Sequence, residues 1–364
     1  MKKFKYPKRI SSLLIAAALA VVSVGCGNGR ETAANITEGN TEESTATVTA
    51  EQMNLDEDEV ETKGITESGQ SVERIVSGYY ITTSMLIALG LKERIVGIEA
   101  KADKRPIYKL AAPELLQLPN VGTAKEFDLE GCVALEPDLV ILPQKQAEQA
   151  DILADLGINS LVVNPESMDE LKKTIMSVAE ATGASERADQ LLTYFDEKTT
   201  WLASLAEEDK NQGARPSIYI SGNADILRTA GKNMYQNEMI EMAGGINVAE
   251  DLTDAGWSNI SYEKLLTYNP DYIIISSEAD YTKEDVFEND LLKDLKAVQN
   301  KAVYEMPYAF EAWDSPVPSG ILGSMWLGSI INEEAYPFET FKKDAAAFYN
   351  EFYGIEIDSS LITQ

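Results

Sequence analysis

Short apolar runs alternate with amphipathic stretches along most of this chain, and the two periods assign its elements. Arg74-Ile75-Val76, Arg94 to Ile98, Asp138 to Leu142 and Ser160 to Val163 are short runs rich in aliphatic residues, and they read as buried strands. Between them, Thr82 to Gly90, Phe127 to Leu135 and Ala147 to Leu156 read as helices, with Gly90 and Pro137 as stops. From Met168 to Asp209 the pattern is helical with one break, at Gly183. In its second part Ala188, Leu191, Leu192, Phe195, Leu202, Leu205 and Ala206 recur at three- and four-residue spacing, one stripe of a helix with Ser185 as its expected N-cap. About 24 residues at 1.5 Å each form a rod of roughly 36 Å, long enough to run across two lobes.

After Gly213 and Pro216 the alternation restarts. Ser217 to Ile220, Asp271 to Ile275 and Ala302 to Tyr304 read as strands; Asn233 to Ala243, Asp285 to Leu295, Gly320 to Ile331 and Phe338 to Tyr349 read as helices. The pattern predicts an α/β protein of two lobes with mainly parallel central sheets, joined by one long backbone helix. The expected divisions are 72–167 and 214–357 for the lobes, 168–213 for the helical linker and 358–364 for a tail.

The first 71 residues carry a different signal. Lys2, Lys3, Lys5, Lys8 and Arg9 precede an apolar run from Ile10 to Val24, which is shorter than the roughly 20 residues a membrane span needs. Residues 1–25 therefore read as an export signal, and Ser23-Val24-Gly25-Cys26 resembles a bacterial lipobox in which Cys26 takes a lipid. The lipobox usually has Leu where Ser23 stands; an ordinary secretory signal with a chance cysteine is the plainer alternative. Residues 26–71, rich in Thr, Glu and Asn with almost no large apolar side chains, predict an acidic disordered tether.

Composition narrows the chemistry. With 31 basic against 60 acidic residues, a formal charge of −29, nucleic acid is not an expected partner. The chain has no histidine, which excludes Ser-His-Asp and Cys-His catalysis and makes a zinc or manganese receptor built on imidazoles a poor fit. Cys132, in an apolar stretch, reads as a buried structural residue.

Two segments echo each other. Phe127-Asp128-Leu129-Glu130 leads to Glu136-Pro137-Asp138 and a strand; Ile260-Ser261-Tyr262-Glu263 leads to Asn269-Pro270-Asp271 and a strand. With the long rod, Ala243-Gly244-Gly245-Ile246-Asn247-Val248 and Trp257 six residues before Glu263, these features resemble the helical-backbone class of ABC-importer binding proteins, over residues 72 to 355. That class includes receptors for ferric siderophores, haem and cobalamin. The resemblance implies that Glu130 and Glu263 project from the two lobes to meet permease subunits, and that a ligand sits between the lobes. A glutamate in a first helical turn also suits the helix dipole without any partner.

The loops that would face such a cleft offer Tyr79, Tyr80, Thr82 and Thr83 after the first strand, Lys104 and Arg105 after the second, then Lys125 and Gln144. The second lobe offers Asn223, Arg228, Trp257 and the cluster Tyr308, Glu311, Trp313 and Asp314. Aromatic walls with a few cations suit a metal chelate, a ferric siderophore or a corrinoid; small polar groups such as Thr82, Thr83 and Asn223 would instead suit a compact oxyanion. The rival classes are a secreted enzyme working through paired carboxylates such as Glu311 and Asp314, and an adhesion or scaffold lipoprotein. The expectation is a monomeric, membrane-anchored binding protein with neither cofactor nor bare metal site.

Overall fold

Two Pro-Asp pairs tie down the two sheets in the same way. Asp138 Oδ2 accepts from the N–H groups of Glu73 and Arg74, both at 2.9 Å. Asp271 Oδ2 accepts from the Ser217 N–H at 2.9 Å and from its hydroxyl at 2.6 Å. Each aspartate thus clamps the start of the neighbouring strand, and each proline follows a left-handed residue, Glu136 (φ 49°) or Asn269 (φ 43°). The sequence echo reflects one structural device used twice.

The structure, a computed structural model, describes residues 62–63, 71–210, 215–254 and 256–364. The expected export signal and the expected lipid site at Cys26 lie outside them, as does most of the expected tether. Within that tether, strand β1 (Thr62–Lys63) pairs antiparallel with an edge of the first sheet.

The first sheet continues with β2 (Ile75–Ser77), β3 (Ile95–Ile98), β4 (Leu139–Pro143) and β5 (Asn159–Val163) in the order β1-β5-β4-β2-β3. Strands β5, β4, β2 and β3 are parallel, which agrees with their near-continuous burial. Around them lie α1 (Tyr80–Ala88), α2 (Pro106–Ala111), α3 (Leu129–Ala134) and α4 (Ala147–Asp155). Cys132 on α3 is fully buried, and burial pushes its thiol up to about 12, consistent with a structural role.

Helix α5 (Met168–Thr182) ends at Gly183, whose φ of 75° closes it. The rod α6 (Ser185–Lys210) follows, 26 residues or about 39 Å long. Ala188, Leu191, Phe195, Leu202 and Leu205 form its buried stripe. Arg187 and Ala188 both donate to the Ala184 carbonyl, so Ser185 is the first helical residue and not the cap expected of it.

The second sheet comprises β6 (Ser217–Ser221), β7 (Arg228–Thr229), β8 (Ile246–Asn247), β9 (Ser258–Asn259), β10 (Tyr272–Ile275) and β11 (Val303–Glu305). Its path is β11-β10-β6-β7-β9, with β8 beside β6. The parallel strands carry an antiparallel addition, β7 and β9, that short two-residue runs do not announce. Its helices are α7 (Tyr235–Met242), α8 (Tyr262–Tyr268), α9 (Lys283–Phe287), α10 (Lys296–Gln299), α11 (Ile321–Ile331) and α12 (Phe338–Tyr353).

The single helix expected from Asp285 to Leu295 is broken. Asn289 is the cause: its side-chain oxygen accepts from the Leu291 N–H at 3.0 Å, an alternative to the helical bond. The expected tail docks instead, with Ile362 buried and the Trp326 indole donating to the Thr363 carbonyl at 2.9 Å. One core cluster runs through both lobes, from Ile75 and Met85 through Leu191 and Phe195 to Trp313 and Phe348.

Candidate functional site

The N-terminal turn of α1 sits at the carboxyl end of β2, and its polar side chains are engaged inward. The Ser77 and Thr82 hydroxyls lie 2.7 Å apart, and Thr83 donates to Glu99 Oε2 at 2.6 Å. Thr82 and Thr83 are fully buried, so neither presents a hydroxyl to the cleft that was expected to use them. Glu99, which follows β3, also accepts from the Tyr108 hydroxyl at 2.8 Å. Burial raises its pKa, against the stabilising bonds from Thr83 and Tyr108.

Arg105 stands at the N-cap of α2, where Pro106 fixes the first helical φ. Its guanidinium lies 4.1 Å above the Tyr80 ring. Tyr79 packs edge-on against the same ring at 5.3 Å. From the other lobe, Glu278 Oε2 comes within 3.5 Å of Arg105 Nη1. The Tyr308 hydroxyl donates to the Lys104 carbonyl at 3.2 Å, again from lobe to lobe. Burial disfavours the Arg105 charge, but Tyr80, Tyr308 and Glu278 more than offset it and raise its pKa. Tyr80, Arg105, Tyr108, Tyr308, Phe310 and Glu311 border one narrow gap of about 10 Å³.

The cluster expected after Tyr308 divides. Trp313 is fully buried and its indole donates to the Tyr349 hydroxyl at 2.8 Å, so it belongs to the core and not to a ligand wall. Glu311 is buried among the hydroxyls of Ser84, Ser319 and Tyr353, all three donating to its carboxylate. Asp314 is buried too, and burial pushes its carboxyl up to about 6. Glu311 borders the gap beside Arg105, but its carboxylate is taken up by three hydroxyls, and Asp314 is buried apart from that lining.

At the end of β6 the half-buried Trp257 packs on Gly222. A Cβ there would stand 3.0 Å from the indole and 3.2 Å from the Arg228 stem, so glycine is what lets these three meet. Lys104, Lys125, Gln144 and Asn223 are exposed on their loops. The structure therefore brings together Tyr79, Tyr80, Arg105 and Tyr308, groups Arg228 with Trp257, and draws Thr82, Thr83, Glu311, Trp313 and Asp314 inward. Glu99, Tyr108 and Glu278 join the Arg105 group unannounced; Glu278 follows β10, and the strand-end rule applied to β10 would have found it.

On the outer surface, Glu130 and Glu263 occupy equivalent places. Each is the second residue of a short helix, α3 or α8, capped by Asp128 or Ser261 through bonds of 2.9 and 3.2 Å to the backbone. Both side chains are exposed. Among the described residues no group of His, Cys, Asp and Glu is placed to hold a metal ion.

Two lobes of α/β structure, a single rod between them and a cleft at the strand ends define a solute-binding architecture. The model of the periplasmic binding protein family matches residues 75–309, and the chain belongs to that family, the substrate-binding components of ABC importers. It is 25% identical over 306 residues to the molybdate-binding protein MolA of Haemophilus influenzae, covering 78% of this chain and 86% of that one. It is 28% identical over 302 residues to the uncharacterised ABC transporter substrate-binding lipoprotein YvrC of Bacillus subtilis, covering 81% and 88%. The fold superposes on a periplasmic solute-binding protein of Veillonella parvula with a TM-score of 0.72 at 24% identity, over 83% of this chain and 95% of that one. Members of the family are transport proteins and not enzymes.

Proposed function

We propose that this chain captures an anionic metal chelate between its lobes, with Arg105 receiving the negative charge and Tyr79, Tyr80 and Tyr308 lying against the organic shell. The observation that carries this reading is the Arg105 guanidinium held on the Tyr80 ring at the lobe boundary. A stacked guanidinium keeps its donor fork in plane for catecholate or carboxylate oxygens. Trp257 and Arg228 add a second aromatic and cationic pair at the end of β6. Glu130 and Glu263, one per lobe, dock on the two permease subunits, and a lipid on Cys26 holds the protein on the cell membrane, facing outside.

A compact oxyanion is the second reading. The gap has a volume of only about 10 Å³, room for about one water, so a small anion needs far less opening of the lobes than a bulky chelate does. MolA's molybdate points the same way. Thermal-shift titration with a ferric tricatecholate, haem, cobinamide, cobalamin and molybdate separates the two, since a bound ligand raises stability. Arg105→Gln should weaken the active ligand at least tenfold; unchanged affinity would remove Arg105 from the site.

A further inference from the structure

Arg105 already holds an anion. Glu278 reaches it from the opposite lobe at 3.5 Å, and Tyr308 faces both groups. Arg105 is partly buried, with its side chain 26% exposed, while Glu278 at 39% reaches it from the solvent side. Glu278 also occupies a left-handed backbone position, φ 59°, in the loop after β10. A non-glycine residue there carries a steric cost, which points to a use for its side chain.

We propose that Glu278 is a built-in competitor for Arg105, and that it sets the minimum anionic strength of any ligand the cleft accepts. This rests on the reading that Arg105 receives the ligand's negative group. A carboxylate tethered to the same protein acts at an effective concentration on the order of millimolar or more. A monocarboxylate metabolite offers the same oxygen pair without that advantage, so it does not displace Glu278. A catecholate chelate or a dianionic oxyanion brings more charge and several acceptors to the guanidinium, and it does. Displacement also frees Glu278 from Arg105, so a ligand that takes Arg105 breaks one lobe-to-lobe contact. Glu278 therefore acts as a specificity residue without belonging to the ligand's final contacts.

The test reads Arg105 directly. Parent, Glu278→Gln and Glu278→Gly proteins are treated with phenylglyoxal, and adduct formation at Arg105 is followed by peptide mass spectrometry. Both variants should react at least about fivefold faster than the parent. Millimolar acetate should protect Arg105 in the variants and not in the parent, whereas molybdate or a ferric tricatecholate should protect it in all three. Equal rates in parent and variants, with protection by either strong anion, would overturn the competitor role and leave Arg105 as the ligand group. Faster reaction of the variants without protection by either strong anion would remove Arg105 from the ligand site, and the competitor role with it.

Discussion

Ser84 on α1 donates a hydrogen bond to Glu311, 227 positions later in the chain, inside a fully enclosed junction of the two lobes. Tyr353 and Ser319 complete the ring of hydroxyls on the same carboxylate. Glu311→Ala should leave two of these three buried hydroxyls without an acceptor, since Ser84 and Tyr353 can still bond each other, and destabilise the protein by about 3 kcal/mol. Glu311→Gln, which keeps an acceptor, should lose roughly 1 kcal/mol. Urea denaturation measures both; equal losses would mean that the carboxylate's volume matters and its bonds do not.

Asp314 gives the protein a pH signature. Its carboxyl is held at about 6 by burial, against an ordinary 3.8, so between these values the folded state binds more protons than the unfolded chain. Stability then falls as pH rises through that window, by roughly 3 kcal/mol from this one group. The cost is absent below pH 3.8 and complete above about 6. Asp314→Asn should flatten that part of the stability profile relative to the parent. Parallel profiles for the two proteins would show that Asp314 titrates normally.

The proposed docking role of Glu130 and Glu263 can be separated from ligand capture by experiment. Glu130→Ala combined with Glu263→Ala should leave ligand affinity unchanged and reduce uptake into vesicles carrying the importer by about tenfold or more. Raised salt should weaken the parent's association toward that of the double variant, since rim charges mainly steer and orient. Lost ligand affinity in the double variant would place these residues on the wrong surface.

Trp257 reports on the second cation cluster. The indole rests on Gly222 and packs against the edge of the main core, so Trp257→Ala removes the proposed cleft wall with only a partial loss of core contact. For a bound chelate, tryptophan fluorescence should be quenched, and the variant should bind at least about tenfold more weakly, roughly 1.4 kcal/mol. Equal binding by variant and parent would confine the ligand to the Arg105 side.

What the sequence disclosed follows from how locally each feature is determined. Strands such as β4 and β10 were legible because burial on both faces makes them continuous apolar runs. The paired Pro-Asp segments were legible because each aspartate clamps the start of a neighbouring strand, a job that needs the same residues both times. The helix from Asp285 to Leu295 misled because Val286, Leu292 and Leu295 are all buried, while one Asn289 side-chain bond decides the backbone. Trp313 could not be told from a cleft aromatic, since its hydroxyl partner Tyr349 lies 36 residues away. The position of Glu278 just after β10 marked it as a strand-end residue, but its pairing with Arg105 of the other lobe was not legible in the sequence.

Helix α12, near the end of the chain, packs on α1 near the start of the folded region, and Tyr353 closes the Glu311 junction. The first sheet can form early, but α1 keeps an uncovered face and Ser84 an unmet partner until residue 353 is available. Synthesis from the N-terminus therefore delivers a chain whose lobe junction cannot close until residue 353 has been made. In a family whose members work outside the cytoplasm, this late closure postpones commitment to the native state.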